Sequence, residues 1–177
     1  MKMLIAAAAA ALAAAPVIAL AQDAPPTGVY AGAGYAAAGG EHVDLGEIQG
    51  RLGYRFNPYL GVEGELGFGV KDDKVTVGGV DAKVKLQHRE AVYGVAFAPV
   101  SANTDILARI GYGNTSIKAS ALGASQAADG DSWNFGVGAQ HHFDGQNGVR
   151  VDYTRQEFRD DGAGHADVWA LGYTRRF

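Results

Sequence analysis

The sequence of 177 residues contains no cysteine, only five prolines and no excess of basic residues. Without cysteine, the chain cannot form disulfides, use a thiol nucleophile or build a cysteine-ligated zinc site. Lysine and arginine number 15 against 19 aspartates and glutamates, which gives a formal net charge of −4. This balance argues against a nucleic-acid-binding protein, whose surface would carry a basic patch.

Charged residues are also scarce, at 19% of the chain, whereas ordinary soluble domains contain roughly 25%. Glycine is abundant instead, with 26 residues, about double its usual share of ~7%. Abundant glycine together with 10% aromatic residues disfavours a helical bundle and a disordered chain. This composition favours a β-protein whose strands pack closely in places.

The N-terminal segment 1–21 has the pattern of a secretory signal peptide. Lys2 supplies the positive charge, an alanine-rich apolar run follows, and a small-x-small motif ends at Ala21. The alternative is an uncleaved anchor helix, for which the apolar run is just long enough. We expect cleavage, then a short periplasmic leader at 22–27 and one domain over 28–177. Export of a chain without cysteine suits the envelope of a Gram-negative bacterium.

Beyond this segment, hydrophobicity alternates with a period of two residues, in blocks of about ten residues and without helical spacing. The pattern predicts eight strands, near residues 28–37, 43–56, 59–71, 82–98, 105–118, 132–143, 149–158 and 166–177. The connections alternate between short turns and longer loops. The longer ones are predicted at 72–81, 119–131 and 159–165, and the connection at 39–42 is of intermediate length. In an up-and-down arrangement all the short turns lie at one end, as in outer-membrane barrels.

Most predicted strands have one apolar face and one face of glycine and charged residues. In the third strand, Val62 and Leu66 alternate with Glu63 and Glu65. The fourth strand is less regular. One face of its second half is apolar, with Ala91, Tyr93, Val95 and Phe97, but the first half is polar on the same phase. This break predicts either a part that projects beyond the membrane or a β-bulge.

Alternation alone does not decide which face meets lipid, because a soluble lipocalin-like barrel would turn its apolar face inward. Two observations favour a membrane barrel: the polar face carries charges of both signs beside small residues, and aromatic residues crowd the strand ends. The predicted lumen charge network is Glu47, Arg51, Arg55, Glu63, Glu65, Glu90, Arg109, Arg150 and Asp152. The predicted membrane-interface aromatics are Tyr54, Phe56, Tyr59, Phe97, Trp133, Phe143, Trp169 and Tyr173.

Four segments resemble the OmpA-like family of small outer-membrane β-barrel domains. They are GVYAGAGY at 28–35, RLGYRF at 51–56, LGVEGE at 60–65 and YTRRF at 173–177. The resemblance covers the whole chain after the signal peptide and implies an eight-stranded antiparallel up-and-down transmembrane β-barrel in the bacterial outer membrane. Phe177, with alternating aromatics before it, resembles the C-terminal signal that the barrel-assembly machinery recognises.

The resemblance also implies the partners. They are outer-membrane lipid, lipopolysaccharide and, during biogenesis, the barrel-assembly machinery and periplasmic chaperones. We expect a monomer without nucleic acid, cofactor or metal. Some small outer-membrane barrels modify lipid A, and the deacylases among them have a His-x-Ser motif. None of the five histidines here belongs to such a motif. The sequence therefore predicts a protein that is not an enzyme.

Two interpretations of the interior charges remain open. They form either a salt-bridge plug that closes the lumen or a polar path for ions. An eight-stranded barrel is about filled by its own side chains, which favours the plug. The leading hypothesis is a structural or surface-interaction protein; a narrow porin-like channel is the alternative, and a lipid A-modifying enzyme comes third.

Overall fold

The computed structural model describes residues 27–39, 44–77, 80–121, 124–159 and 164–177. The predicted signal peptide 1–21, and the leader up to residue 26, lie outside them. The described residues form nine strands: β1 (Gly28–Gly39), β2 (Asp44–Asn57), β3 (Leu60–Lys71), β4 (Asp73–Val77), β5 (Val80–Ser101), β6 (Thr104–Ala121), β7 (Ala124–His142), β8 (Asn147–Phe158) and β9 (His165–Arg176). They contain no helix long and apolar enough to cross a membrane.

The strands close into a ring. Except for β3 and β4, consecutive strands pair antiparallel with each other, and β1 closes the ring by pairing with β9. Strands β3 and β4 occupy a single position, because both pair with β5 on successive stretches. The prediction of an eight-stranded all-antiparallel barrel is therefore confirmed.

The barrel is apolar outside and charged inside. Leu171 and Phe177 on the outer surface expose 64% and 70% of their area, whereas Glu63 and Arg150 in the lumen expose 1% and 2%. A soluble protein would have the opposite distribution. Lipid must therefore cover the outer face, as in transmembrane barrels.

Exposed aromatic rings mark both edges of the apolar band. Near the short turns lie Tyr54, Phe56, Tyr59, Phe143, Tyr173 and Phe177. Near the opposite end lie Tyr112, Trp133, Tyr153 and Trp169, packed as two ring pairs with centroids 5.4 and 5.0 Å apart. Aromatic rings prefer the boundary between hydrocarbon and headgroups, so these two bands delimit the embedded part.

Three strands are much longer than a membrane crossing needs. Strands β5, β6 and β7 contain 22, 18 and 19 residues, whereas about 9–11 residues cross the hydrocarbon. Their distal ends join β4 in a four-stranded sheet beyond the upper aromatic band. We call this sheet the extension; it comprises residues 73–77, 80–88, 115–121 and 124–131.

The extension corrects the predicted loops at 72–81 and 119–131, whose described residues are mostly in strands. Period-2 alternation is absent at the far end of this sheet, where neither face is buried, although Leu86, Thr115 and Ser116 nearer the barrel are buried. In β7, the consecutive residues 125–129 are all exposed. A strand with water on both sides places no demand on alternate side chains, so its sequence is not distinguishable from a polar loop.

A β-bulge in β5 corrects the predicted orientation of that strand. Leu86 pairs with Ile117 and His88 with Ser116, which leaves Gln87 as the extra residue. Gln87 and His88 are both exposed, and Arg89 then returns to the lumen. Since the extra residue reverses the phase of everything that follows, the apolar series from Ala91 to Phe97 lies inside the barrel.

Two predicted site residues change sides for this reason. Phe97, predicted at the membrane interface, is buried in the lumen. Glu90, predicted in the lumen charge network, is exposed on the outer surface, and pairs with Leu66 and Asn114 in the sheet. The small residues of β5 at Gly94, Ala96 and Ala98 face outward instead.

Candidate functional site: the lumen and the extension

The structure places the other predicted network residues in the barrel interior. They are Glu47, Arg51, Arg55, Glu63, Glu65, Arg109, Arg150 and Asp152. They come from β2, β3, β6 and β8, where inward positions alternate with outward apolar ones. The predicted aromatics other than Phe97 are exposed on the outer face, at Tyr54, Phe56, Tyr59, Trp133, Phe143, Trp169 and Tyr173.

Eight of the interior charges form one connected group, which we call the central cluster. It contains Glu47, Glu63, Glu65, Asp152, Arg51, Arg89, Arg109 and Arg150. Four carboxylates face four guanidiniums, so the formal charges cancel. Buried charges persist when they are paired in this way.

Glu65 is the centre of this group. Its carboxylate lies 2.7 Å from Arg51 Nη2, 2.9 Å from Arg89 Nη1 and 2.8 Å from Arg109 Nη1. The three arginines come from three different strands, β2, β5 and β6. One side chain of β3 therefore ties together four consecutive strands of the ring, β2, β3, β5 and β6.

Glu63 and Asp152 extend the cluster toward β8 and β1. Arg150 Nη2 donates to Glu63 at 3.1 Å, and Arg150 Nε donates to Asp152 at 3.0 Å. Arg51 Nη2 reaches the same Asp152 at 3.1 Å. The Tyr30 hydroxyl donates to Glu63 at 2.7 Å. Each carboxylate is thus held by more than one donor, which fixes the side chains in position.

An apolar layer separates the central cluster from the short-turn end of the barrel. It consists of Tyr30, Ala91, Tyr93, Val95, Phe97 and Leu107. Tyr30 and Phe97 meet edge to face with centroids 6.2 Å apart. The Arg109 guanidinium lies 4.4 Å from the Tyr93 ring centroid, and that of Arg55 lies 4.2 Å from Phe97. The rings therefore face cations on both sides, an arrangement that adds cation–π attraction.

A second polar group lies beyond this layer; we call it the turn-end cluster. It contains Arg55, Asp105, Gln140, His142 and Arg176. Asp105 accepts from Arg55 Nη1 and Nη2 at 3.0 Å each, from Gln140 Nε2 at 2.8 Å and from Arg176 Nη2 at 2.7 Å. Three of these hydrogen bonds reach Oδ2 and one reaches Oδ1. Two guanidiniums thus share a single negative charge.

Sequence reasoning missed four charged or titratable lumen residues: Arg89, Asp105, His142 and Arg176. Arg89 was missed because of the bulge. Without the extra residue, Glu90 and not Arg89 would face the lumen. Asp105 and Arg176 had a usable signal: each shares the phase of an inward residue, Arg109 and Thr174 respectively. They were overlooked because they stand at the ends of their strands, where boundaries are uncertain.

Two small cavities of about 10 Å³ lie in the lumen, one along the turn-end cluster and one beside Arg51, Arg150 and Asp152. Each has room for about one water molecule. An open concavity of about 970 Å³ is lined mainly by outward residues such as Leu52 and Phe68, and also by Arg51 and Glu65. No group of three or more potential metal ligands occurs among the described residues.

The extension has different chemistry from the lumen. Lys83 Nζ lies 2.7 Å from the Asp72 carboxylate, and this hydrogen bond holds the pKa of Asp72 below its ordinary value. Lys85 stands directly opposite Lys118 on the neighbouring strand. Like charges so placed are unfavourable unless a counter-charge approaches.

The extension also has open edges. Within the described residues, 124–130 pair only with β6, because the β7–β8 ladder begins at Ser132 and the Arg159 N–H donates to the Asp131 carbonyl at 2.9 Å. At the other side, β4 pairs only with β5. Unpaired strand edges present backbone donors and acceptors to other chains.

The sequence matches the model of the family described as outer membrane protein beta-barrel domain, over residues 5–177. No curated protein sequence matches it significantly. The family match agrees with the inverted distribution of polar and apolar residues.

Several solved structures share the fold. Ail, the attachment invasion locus protein of Yersinia pestis, solved with the heparin analogue sucrose octasulfate, has a TM-score of 0.62 and 19% identity. The match covers 85% of this chain and 99% of Ail. Neisserial surface protein A has a TM-score of 0.61 and 11% identity, over 85% and 97% of the two chains. OprG of Pseudomonas aeruginosa gives 0.61 and 13%, over 85% and 96%.

Proposed function

The chain belongs to the outer membrane protein beta-barrel family, and from this premise we propose that it is a surface-interaction protein whose barrel is a closed anchor. The observation that carries the proposal is the extension, a sheet held beyond the upper aromatic band by strands about twice the length of a membrane crossing. In outer-membrane barrels the short turns face the periplasm. The extension then projects from the cell surface.

The open edges of the extension supply a means of binding. An extended segment of another protein can add to an exposed sheet edge through backbone hydrogen bonds. The edge at 125–130 carries small and polar side chains that leave its backbone accessible, and Asp129 is its sole charged residue. The paired Lys85 and Lys118 provide a second feature, which favours a polyanionic partner. The complex of Ail with sucrose octasulfate is consistent with such a partner for this fold.

Shortening the extension tests the proposal. One variant removes residues 118–127 and joins Ile117 to Ala128, which are cross-strand partners, through Asn-Gly, a sequence suited to a two-residue hairpin turn. A second carries Lys85→Glu and Lys118→Glu. We expect both to fold and reach the outer membrane at wild-type levels. Cells expressing the shortened protein should lose adhesion to host surfaces, and the charge-reversed variant should lose binding to immobilised heparin.

The control keeps the extension and alters the embedded part. Val137→Leu on the lipid-facing surface should leave both kinds of binding unchanged. Equal adhesion of wild-type and shortened protein at equal surface levels would overturn the surface-interaction proposal and leave a purely structural role in the envelope.

The plug is the second element of the proposal. Paired charges in the central cluster, the apolar layer and cavities of only about 10 Å³ support a lumen closed to ions. The folded protein should show no steady conductance in a planar bilayer, and Arg51→Ala should lower thermal stability. Steady conductance, with a selectivity that Arg51→Ala changes without loss of stability, would establish the narrow-channel alternative.

We infer also that the protein is not an enzyme. The buried carboxylates are each engaged by guanidiniums, so none is free to act as a general base. A lipopolysaccharide mass profile that changes when the protein is overproduced would contradict this inference. The remaining proposals are a cleaved signal peptide, a monomer, lipopolysaccharide around the upper aromatic band, and assembly by the barrel machinery and chaperones through Phe177.

A further inference from the structure

The two polar groups of the lumen differ in charge balance. In the central cluster every carboxylate has a guanidinium counterpart, and the charges cancel. In the turn-end cluster, Asp105 is the single carboxylate for Arg55 and Arg176. Among the described residues, these two arginines form no other ion pair. One positive charge therefore remains uncompensated in the interior.

The unused hydrogen-bonding atoms have the same character. Arg55 Nε and Arg176 Nη1 are buried without a partner, and so are both ring nitrogens of His142. The two arginine nitrogens can only donate, and the imidazole donates through at least one nitrogen. Asp105 already accepts four hydrogen bonds. The unpartnered atoms of the cluster are thus mainly donors, although Asp105 Oδ1 accepts only the hydrogen bond from Arg55 Nη2.

These groups border one small cavity. Arg55, His142 and Arg176 line the turn-end cavity together with Tyr30, Phe97 and Gln140, and its volume is about 10 Å³. His142 is 1% exposed and Arg55 is 2% exposed, so the site is built within the barrel and is not a surface patch. A cavity of this size admits a single small guest.

We propose that this cavity is a binding site for a monovalent halide, chloride under physiological conditions. A water molecule could donate to the acceptor nitrogen of a neutral His142 ring, but it would leave the excess positive charge of the cluster in place. A halide accepts from every side and offsets the excess charge. Removal of an uncompensated buried charge is strongly favourable. Larger anions, such as gluconate or sulfate, do not fit the cavity.

The solution test compares salts at equal ionic strength. The folded protein in detergent is heated in sodium chloride, sodium bromide or sodium gluconate, and its unfolding midpoint is measured from the shift in gel migration. Chloride and bromide should raise the midpoint saturably relative to gluconate, because a ligand that binds only the folded state stabilises it. An identical midpoint in all three salts would overturn the proposal.

Neighbouring arginines offer a matched pair of variants. Arg176→Gln removes the excess charge but leaves the Arg55–Asp105 pair, and it should abolish the halide-dependent rise. Arg175→Gln removes the same charge from the outer surface, where Arg175 is exposed, and should keep the full rise. A rise of equal size in both variants would show that halide acts elsewhere.

A diffraction experiment does not depend on the folding of any variant. Crystals of the wild-type protein in sodium bromide should give an anomalous bromine peak within hydrogen-bonding distance of Arg55, Arg176 or His142. An ordered water without anomalous signal at this position would contradict the proposal. This outcome is separate from the adhesion and conductance tests, since the site can be occupied whatever the extension binds.

Discussion

The embedded barrel and the extension are built from the same strands, yet they follow different rules. Within the membrane, each position of β6 or β7 belongs either to lipid or to the lumen, as with Phe135, exposed, and Asn134, fully buried. A few residues further along β7, consecutive side chains are all exposed. The surroundings change from lipid to water, and the backbone ladder between β6 and β7 continues without interruption.

The difference shows what constrains a β-barrel sequence. The ladder of backbone hydrogen bonds is common to both regions and is indifferent to side chains. Lipid on one side and a filled lumen on the other create the period of two. This comparison implies that substitutions in the embedded barrel change the free energy of unfolding more than substitutions in the extension.

The largest effect should come from the buried carboxylate with three guanidiniums. Glu65→Ala leaves Arg51, Arg89 and Arg109 competing for the remaining acids. We expect a loss of about 3–5 kcal/mol in the free energy of unfolding, the usual cost of breaking a buried pair. Tryptophan fluorescence during a urea titration in lipid vesicles measures it. Lys83→Ala, which breaks an ion pair of the extension, should leave the midpoint nearly unchanged, and equal losses would contradict the comparison.

A charge on the lipid face should come next. Leu171 lies between Trp169 and Tyr173, at the middle of the apolar band, and is 64% exposed. Leu171→Arg should cost about 2–4 kcal/mol of unfolding free energy, because the guanidinium meets hydrocarbon. Gln126→Arg, on the exposed stretch of the extension, is the control and should be tolerated. The same urea titration compares the two.

Space in the lumen should matter less than charge but remain measurable. A Cβ added at Gly111 would lie 2.3 Å from the Val92 carbonyl oxygen and 2.5 Å from Tyr93 Cδ1, whereas one at Gly50 meets nothing within 4 Å. Gly111→Ala should therefore cost about 1–3 kcal/mol, as overpacking does. Gly50→Ala, on the outer surface, should be neutral. A neutral Gly111→Ala would mean that the lumen relaxes more easily than its packing suggests.

The smallest effect concerns the turn between β7 and β8, outside the membrane. Hydrogen bonds from the side chain and backbone of Asn147 and from the backbone of Gln146 lower the pKa of Asp144 to about 2. Its stabilising contribution is therefore present above the ordinary pKa and is lost as the pH falls through about 2. Between pH 4 and pH 2 the unfolding midpoint of the wild type should fall slightly more than that of Asp144→Ala. Parallel curves would show that this turn contributes nothing through its charge.

Much of the embedded barrel was predictable because membrane and lumen impose a pattern that the residues obey. The alternation of Val62 and Leu66 with Glu63 and Glu65 was enough to assign the faces of β3. The break in the alternation of β5 indicates a possible bulge but not which face turns inward, and both faces of β5 carry apolar residues, so the predicted sides of Glu90 and Phe97 are wrong. The sequence predicts a loop at 119–131 because the exposed residues 125–129 have no alternating pattern. The charge imbalance of the turn-end cluster could not be predicted from the sequence, because it arises from Asp105 pairing with both Arg55 and Arg176.

The seam between the first and last strands has a consequence for how the protein is made. β1 pairs with β9 from Tyr30–Arg176 to Gly39–Asp167, and the Phe177 N–H donates to the Val29 carbonyl at 3.0 Å. The first strand to be synthesised, β1, can therefore pair with β9 only after the whole chain has been made. Contacts between residues so distant in sequence form slowly. Until then β1 and β8 each have an edge that hydrocarbon cannot satisfy, at several kcal/mol for each unpaired group. Entry into the bilayer and closure of the seam are thus bound to occur together, and a chain that stalls before β9 has no stable place in the membrane and becomes a substrate for envelope proteases.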